Sequence, residues 1–201
     1  MQASPSKTLR RVAILTLLAG TGAAQAHTGY GTSGLFEGLA HPLSGADHLL
    51  AMVAVGLWSA TALPQGKSWW GPATFLLALL ASAALGVAGL TLPFLEQLIA
   101  LSVVLFGAML ALSRVQLPLA AGLGLVALAA GLHGLAHGAE APETGFAAYA
   151  AGFLLSTAAL HLGGLLAGVG IRRALAQRAT WVMAGVGTAF SGAGLYLASQ
   201  V

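Results

Sequence analysis

The chain has 201 residues, of which 58% are hydrophobic and only 6% are charged. A soluble domain would carry roughly 25% charged residues, so this composition indicates an integral membrane protein whose surface faces lipid. The eight Lys and Arg residues are too dispersed for a nucleic-acid-binding surface, and the absence of cysteine excludes disulfides, thiolate metal sites and a cysteine nucleophile.

The first 26 residues are predicted to be a cleavable signal peptide. Residues 7–11 supply three basic side chains, residues 12–19 are apolar, and residues 24–26 fit the small-x-small cleavage pattern. The apolar stretch is too short to cross ~30 Å of hydrocarbon comfortably, and an uncleaved first helix is the alternative. Cleavage would make His27 the first mature residue, with its imidazole beside a free amine as a candidate for metal capture.

Hydropathy and the intervening loops divide residues 27–201 into one domain, an all-α bundle of about six transmembrane helices. Each helix can supply the roughly 20 apolar residues that a crossing requires. Glycines at GxxxG spacing, Gly134 with Gly138 and Gly164 with Gly168, predict close helix packing and leave a homo-oligomer open. The six spans are predicted near residues 33–62, 70–92, 94–112, 117–137, 146–171 and 180–199.

The distribution of charge predicts how the bundle is oriented. If the mature N-terminus lies outside, the inner loops carry Lys67, Arg114 and the arginines of residues 172–178. Glu140 and Glu143 then face outside. The signal peptide adds the remaining basic residues on the inner side, so all eight Lys and Arg obey the positive-inside rule. We therefore predict a multi-pass protein of the bacterial inner membrane with both mature termini in the periplasm.

The first predicted span contains two histidines and an aspartate. An acid at the centre of a membrane helix costs roughly 2.5 kcal/mol or more, so each such residue asks for an explanation. His41 and His48 are seven residues apart, which places them on one helix face, and Glu37 lies on the same side. On an ideal helix, the Asp47 side chain points about 100° away from that of His48. The proline and glycine within residues 42–45 can loosen this turn and let the carboxylate swing towards the histidines.

The fourth predicted span carries a second cluster. His133, His137 and Glu140 are offset by four and seven residues, so they share one stripe of the helix. Imidazole suits nickel, cobalt, copper and zinc, and carboxylates compensate the charge of the ion. The histidines could instead be polar contacts between helices, hydrogen-bonded to hydroxyls or carbonyls. His161 in the fifth span and Glu96 at the start of the third are further candidates, and either could equally be structural.

Two motifs resemble those of the HupE/UreJ family. The pattern His41-x5-Asp47-His48, continued by the apolar residues 49–58, resembles the first-helix motif of that family. The stretch from His133 to Glu140 resembles its second histidine motif, and the signal-plus-six-helix layout extends the likeness over essentially the whole chain. The resemblance implies a permease for nickel and/or cobalt that supplies enzymes such as hydrogenase or urease. It also implies that six residues handle the metal: His41, Asp47, His48, His133, His137 and Glu140.

The weaker metal-site candidates rest on position and membrane cost: Glu37, Glu96, His161 and His27. Two other functional classes use the same residue types. An intramembrane zinc-dependent hydrolase would hold zinc with three ligands and leave one position for water, although no separate general base is evident. A haem protein with two histidine ligands is the other, although Asp47 would be an unusual neighbour. We predict a non-enzymatic permease with no prosthetic group, whose partners are a divalent metal ion and lipid.

Overall fold

The computed structural model describes residues 34–115, 117–142 and 145–201. These residues form α-helices joined by short connections, with no strand among them, which confirms the all-α prediction. The predicted signal peptide, His27 and Glu143 lie outside the described residues. The helices are α1 (Gly34–Ser44), α2 (Ala46–Ala62), α3 (Trp70–Val87), α4 (Leu95–Ala111), α5 (Leu119–Ala139), α6 (Phe146–Leu175) and α7 (Ala179–Ala198), with a 3-10 turn (Ala176–Arg178) between the last two.

Several of the described helices are suited to cross a bilayer. Three helical segments are long and apolar enough, namely Trp70–Val87, Leu119–Ala139 and Phe146–Ala198, and α1 with α2 qualifies as a fourth if the pair is one span. The apolar helix α4 is shorter, at 17 residues. Large apolar side chains such as Leu77 and Trp181 are exposed on the outside, as a lipid-facing surface requires. The helical membrane character is thus supported, whereas the count of six crossings stays a prediction.

The first predicted span is a broken helix rather than a continuous one. α1 and α2 are bent by 79° at Gly45. Pro42 lies in the last turn of α1 and has no N–H for a helical hydrogen bond, and Gly45 has an extended backbone with φ −94° and ψ 124°. The helical path therefore ends at Ser44 and restarts at Ala46. The sequence indicates the position of this break, but not its angle.

The helix α3 ends at Val87, five residues before the predicted boundary of the second span. Gly89 adopts the left-handed conformation with φ 90°. The N–H of Leu90 then donates to the Leu85 carbonyl, and the N–H of Gly89 donates to the Gly86 carbonyl. These two hydrogen bonds form a Schellman motif, which satisfies the last carbonyl groups of the helix and stops it there.

Glycine faces bring the helices into backbone contact. A Cβ atom at Gly134 would overlap the carbonyl oxygen of Leu79, so α5 packs directly on α3. A Cβ atom at Gly164 would overlap the carbonyl oxygen of Val53, so α6 packs equally closely on α2. Both glycines belong to the predicted GxxxG pairs, and their close contacts confirm the prediction of tight helix packing.

The bundle has two chemically different ends. A cavity of about 600 Å³ lies where α2 and α4 finish and α5 begins, and it is lined by parts of the loops that carry Lys67 and Arg114. Arg172 also lines this cavity and donates a hydrogen bond to the carbonyl of Ala60. We call this the basic end. The opposite end, where α2 and α6 begin and α5 finishes, is the histidine end.

Candidate metal centre

Three histidines from three helices converge at the histidine end. His41 comes from the last turn of α1, His48 from the first turn of α2, and His137 from the last turn of α5. One nitrogen of each ring lies within 4.8 Å of the others. Nitrogens bound to one ion at about 2.0–2.1 Å lie up to about 4.2 Å apart, so small side-chain rotations would let all three bind a single ion. We call these residues the three-histidine group.

The bend at Gly45 brings the first two of these histidines together. The seven-residue spacing predicts His41 and His48 on one face of an ideal helix, and that reason for their proximity is wrong because the helix is broken between them. Their rings instead meet across the bend, edge to face, with centroids 5.3 Å apart. The ring of His137 then lies 4.6 Å from that of His41 and 5.1 Å from that of His48.

Asp47 orients His48. Its Oδ1 atom accepts a hydrogen bond from Nδ1 of His48 at 2.9 Å and another from the His48 backbone N–H at 2.7 Å. Since Nδ1 carries the proton in this bond, the lone pair of the ring resides on Nε2, which is buried and has no hydrogen-bond partner among the described residues. A carboxylate behind a histidine in this way fixes the tautomer of a metal ligand.

His133 lies beside the three-histidine group and has its own orienting partner. Its Nε2 atom is 2.8 Å from the hydroxyl of Ser102, and that hydroxyl donates its proton to the carbonyl of Ile99 at 2.7 Å. The hydroxyl therefore accepts from Nε2–H of His133, which leaves the lone pair on the buried Nδ1. The His133 ring is 4.7 Å from that of His48. His133 thus presents an available nitrogen next to the group.

Carboxylates lie at the outer margin of this site. Oε2 of Glu140, just beyond the end of α5, is 3.4 Å from Nε2 of His41. Burial raises the pKa of the Glu140 carboxyl above its usual value, and the negative charge of Glu96 raises it further. Glu96 is exposed in the first turn of α4, and Glu37 is half-buried in the first turn of α1. Neither of these two belongs to the three-histidine group.

Aromatic side chains of α6 form one wall of the site. Phe153 stacks on the His137 ring with centroids 4.6 Å apart and an interplanar angle of 19°. The ring of Tyr149, one turn earlier, is 6.2 Å from that of His41. Neither residue, nor Ser102, is among the site residues predicted from the sequence. The available signal was weak, since each looks like an ordinary member of an apolar helix.

His161 is not part of the three-histidine group. It is fully buried in α6, and its ring packs on Phe75 with centroids 4.9 Å apart. The same Phe75 ring contacts His133 at 5.8 Å. The structure therefore brings together His41, His48 and His137, with Asp47, His133 and Glu140 directly around them, and leaves His161 and Glu96 outside.

The fold and site define a helical membrane protein in which histidines from three helices converge and one of them, His48, is oriented by a carboxylate. Residues 15–197 match the HupE/UreJ protein family, and the chain belongs to this family. It is 40% identical over 153 residues to Protein HupE of Rhizobium leguminosarum bv. viciae, an alignment that covers 75% of this chain and 78% of that protein. No solved structure matches the chain. The resemblance inferred from the two histidine motifs is thus confirmed.

Proposed function

We propose that the protein is a secondary permease that takes up divalent nickel and/or cobalt across the bacterial inner membrane. The observation that carries this proposal is the three-histidine group, in which nitrogens from three separate helices lie within 4.8 Å of one another. Metal supplied in this way would serve enzymes such as hydrogenase or urease. The permease itself is not an enzyme, and the ion is its cargo.

The donor set favours a borderline divalent metal that can be released again. Imidazole nitrogens suit nickel, cobalt and zinc, and the chain offers no cysteine thiolate that would retain a softer ion. The ligands come from α1, α2 and α5, so a small movement of one helix against another would open the coordination shell. Asp47 and Glu140 supply negative charge next to the ion, which reduces the cost of holding a dication at membrane depth.

The two ends of the bundle support transport from the periplasm to the cytoplasm. The basic end carries the loops that the positive-inside rule assigns to the cytoplasm, so the histidine end would face the periplasm. Glu140 and Glu96 at that end would attract the hydrated ion electrostatically. Glu140 then contacts His41, the most exposed member of the three-histidine group, which makes His41 the first ligand to exchange with water. In this orientation both mature termini are periplasmic.

The proposal is tested by transport in a defined system. Purified protein is reconstituted into liposomes that contain a metal-sensitive dye, and nickel, cobalt or zinc is added outside. We expect quenching by nickel or cobalt that is absent from protein-free liposomes and strongly reduced with the His137→Ala variant. Equal quenching by the variant and the wild type would contradict the proposed site. Hydrolysis of lipid or peptide by the zinc-loaded protein, without transport, would support the hydrolase alternative instead.

A further inference from the structure

Three buried polar side chains lie deeper in the bundle than the three-histidine group. They are His161 and Thr157 of α6 and Ser59 of α2, each essentially inaccessible to solvent. The Nε2 atom of His161 and both hydroxyl oxygens have no hydrogen-bond partner among the described residues. A buried polar group without a hydrogen bond destabilises the folded state by about 1–3 kcal/mol. Three such groups in one region therefore indicate a functional role.

These side chains lie between the three-histidine group and the basic end. A Cβ atom at Gly56 would overlap the carbonyl oxygen of His161, so these two residues are at the same level of the bundle. Gly56 follows His48 by eight residues of α2, which corresponds to about 12 Å along the helix. His161 therefore lies about halfway along α2, well inside the histidine end.

His161 is linked to the outer site through one aromatic ring. Phe75 of α3 contacts both His133 and His161, with centroid distances of 5.8 and 4.9 Å. Thr157 precedes His161 by four residues, so its hydroxyl lies on the same stripe of α6, one turn away. A metal ion that left His133 and passed Phe75 would meet these two side chains next.

On the other side, the polar positions lead to the cavity at the basic end. A Cβ atom at Gly71 would overlap Oγ of Ser59, and Gly71 lies one turn of α3 from Phe75 towards the basic end. The residue immediately before Ser59, Trp58, lines the cavity of about 600 Å³. Buried nitrogen and oxygen atoms with no hydrogen-bond partner in the described ranges thus occur at successive levels from the three-histidine group to this cavity.

We propose that His161 and Thr157 form an inner binding station for the transported divalent cation, which the ion occupies after it leaves the three-histidine group. This proposal rests on the proposed permease function. The station offers one nitrogen and one hydroxyl oxygen, fewer and weaker ligands than the outer site. It therefore binds the ion less tightly and releases it towards the basic end, as a multi-site conduction pathway requires.

Two substitutions of His161 distinguish a metal ligand from a residue that only fills space. If His161 is a ligand, the Cys variant should transport and the Phe variant should not; if it only packs, the reverse is expected. His161→Phe keeps an aromatic ring of similar size but removes the ligand, and His161→Cys makes a cavity but supplies a thiolate ligand. The chain has no other cysteine, so sensitivity to Cd²⁺ reports on this one position. Initial rates of radiolabelled nickel uptake are measured at matched membrane abundance. Nickel binding to the detergent-purified variants is measured by equilibrium dialysis.

We expect the Phe variant to lose about tenfold or more of its maximal uptake rate while its outer site binds nickel with wild-type affinity. The Cys variant is expected to transport nickel and to become more sensitive to Cd²⁺ than the wild type. Uptake by the Phe variant at the wild-type rate would overturn the inner station. Inactivity of both variants would also overturn it, since a substituted metal ligand must restore passage.

A second pair of variants tests the station without changing His161. Thr157→Val removes only the unpartnered hydroxyl and preserves side-chain shape. Thr188→Val makes the same change on α7, where the exposed hydroxyl bonds the carbonyl of Ala184. We expect a several-fold lower maximal rate for Thr157→Val alone, and equal rates in both variants would contradict the station. Absence of nickel and cobalt uptake by the wild type is a different result, which would refute the permease itself.

Discussion

Asp47 and His48, adjacent in sequence, are also joined through their side chains, with Oδ1 of the aspartate 2.9 Å from Nδ1 of the histidine. The carboxylate holds the proton on Nδ1 and so leaves the lone pair of the ring on Nε2, which is buried and has no hydrogen-bond partner among the described residues. The carboxylate of Asp47 inside the bundle therefore has a role, which is to orient the His48 ring as a metal ligand. The break at Gly45 makes this geometry available, because it places His48 in the first turn of α2, where the backbone N–H has no helical carbonyl to bond and the Asp47 carboxylate accepts it instead.

The variant Gly45→Ala is expected to impair the site through steric displacement. A Cβ atom at Gly45 would lie 2.7 Å from Oδ1 of Asp47 and 3.2 Å from Nδ1 of His48. The carboxylate must therefore move, and the orientation of the histidine is lost. We expect nickel affinity, measured by equilibrium dialysis, to fall by about tenfold or more. Gly131→Ala on α5 is the matched control, since nothing lies within 4 Å of its added Cβ atom. Equal affinity in the two variants would show that the bend tolerates a side chain.

The variant Ser102→Ala is expected to destabilise the protein and to weaken the site. It removes the acceptor of the His133 Nε2–H group, and a buried donor left unpaired costs about 1–3 kcal/mol. The apparent Tm in detergent should fall by a few degrees, and nickel binding should weaken because the tautomer of His133 is no longer fixed.

Ser82→Ala is the matched control for Ser102→Ala. Within the described part of the chain, the Ser82 hydroxyl bonds only carbonyl groups of its own helix, those of Ala78 and Leu79. Its removal should leave nickel affinity unchanged, because such local bonds add little to a helix. If Ser102→Ala and Ser82→Ala behave alike, the contact between Ser102 and His133 has no role in orienting the ring.

Much of the helical layout is predictable from the sequence, because hydropathy and loop residues mark the ends of apolar helices. Two predicted starts, at Trp70 and Phe146, coincide with the beginnings of α3 and α6. The end of α3 was misplaced because Leu90 and Leu92 continue the apolar pattern, whereas the left-handed Gly89 stops the helix. Hydropathy indicates which segments are apolar enough to leave water, but it does not indicate at which residue a helix ends.

The candidate site is predictable in its residue types but not in its pairings. The free-energy cost of burying an ionisable side chain in the membrane singles out each histidine and acid. The four-residue spacing of His133 and His137 predicts that they share one helix face. The contact of Ser102 with His133 spans 31 residues of sequence. A lone serine in an apolar helix ordinarily bonds its own backbone, and Ser102 also does so through Ile99. Such a contact depends on how two helices pack, and the periodicity within each helix does not predict that packing.

The variant Glu140→Gln is expected to weaken capture of the ion rather than its passage. The carboxylate contacts His41 at the exposed margin of the site, so loss of its charge lowers the local concentration of cations. The apparent KM for nickel should rise several-fold with an unchanged maximal rate, and added salt should reduce the difference. Glu143→Gln, in the same predicted outer loop, removes an equal charge and should have a smaller effect. An unchanged KM in Glu140→Gln would contradict a capture role.

The central claim is that the broken helix formed by α1 and α2 lies on the path of the ion, and uptake by living cells tests it most directly. Radiolabelled nickel and cobalt uptake is measured for the wild type, Asp47→Asn and His48→Ala at matched membrane abundance, beside cells with an empty vector. Ser44→Ala, whose exposed hydroxyl donates to the His41 carbonyl, is the control within the same bend. We predict metal-selective uptake by the wild type and the control, and its loss in both other variants. Normal uptake by Asp47→Asn and His48→Ala, or wild-type uptake no greater than in empty-vector cells, would contradict the account.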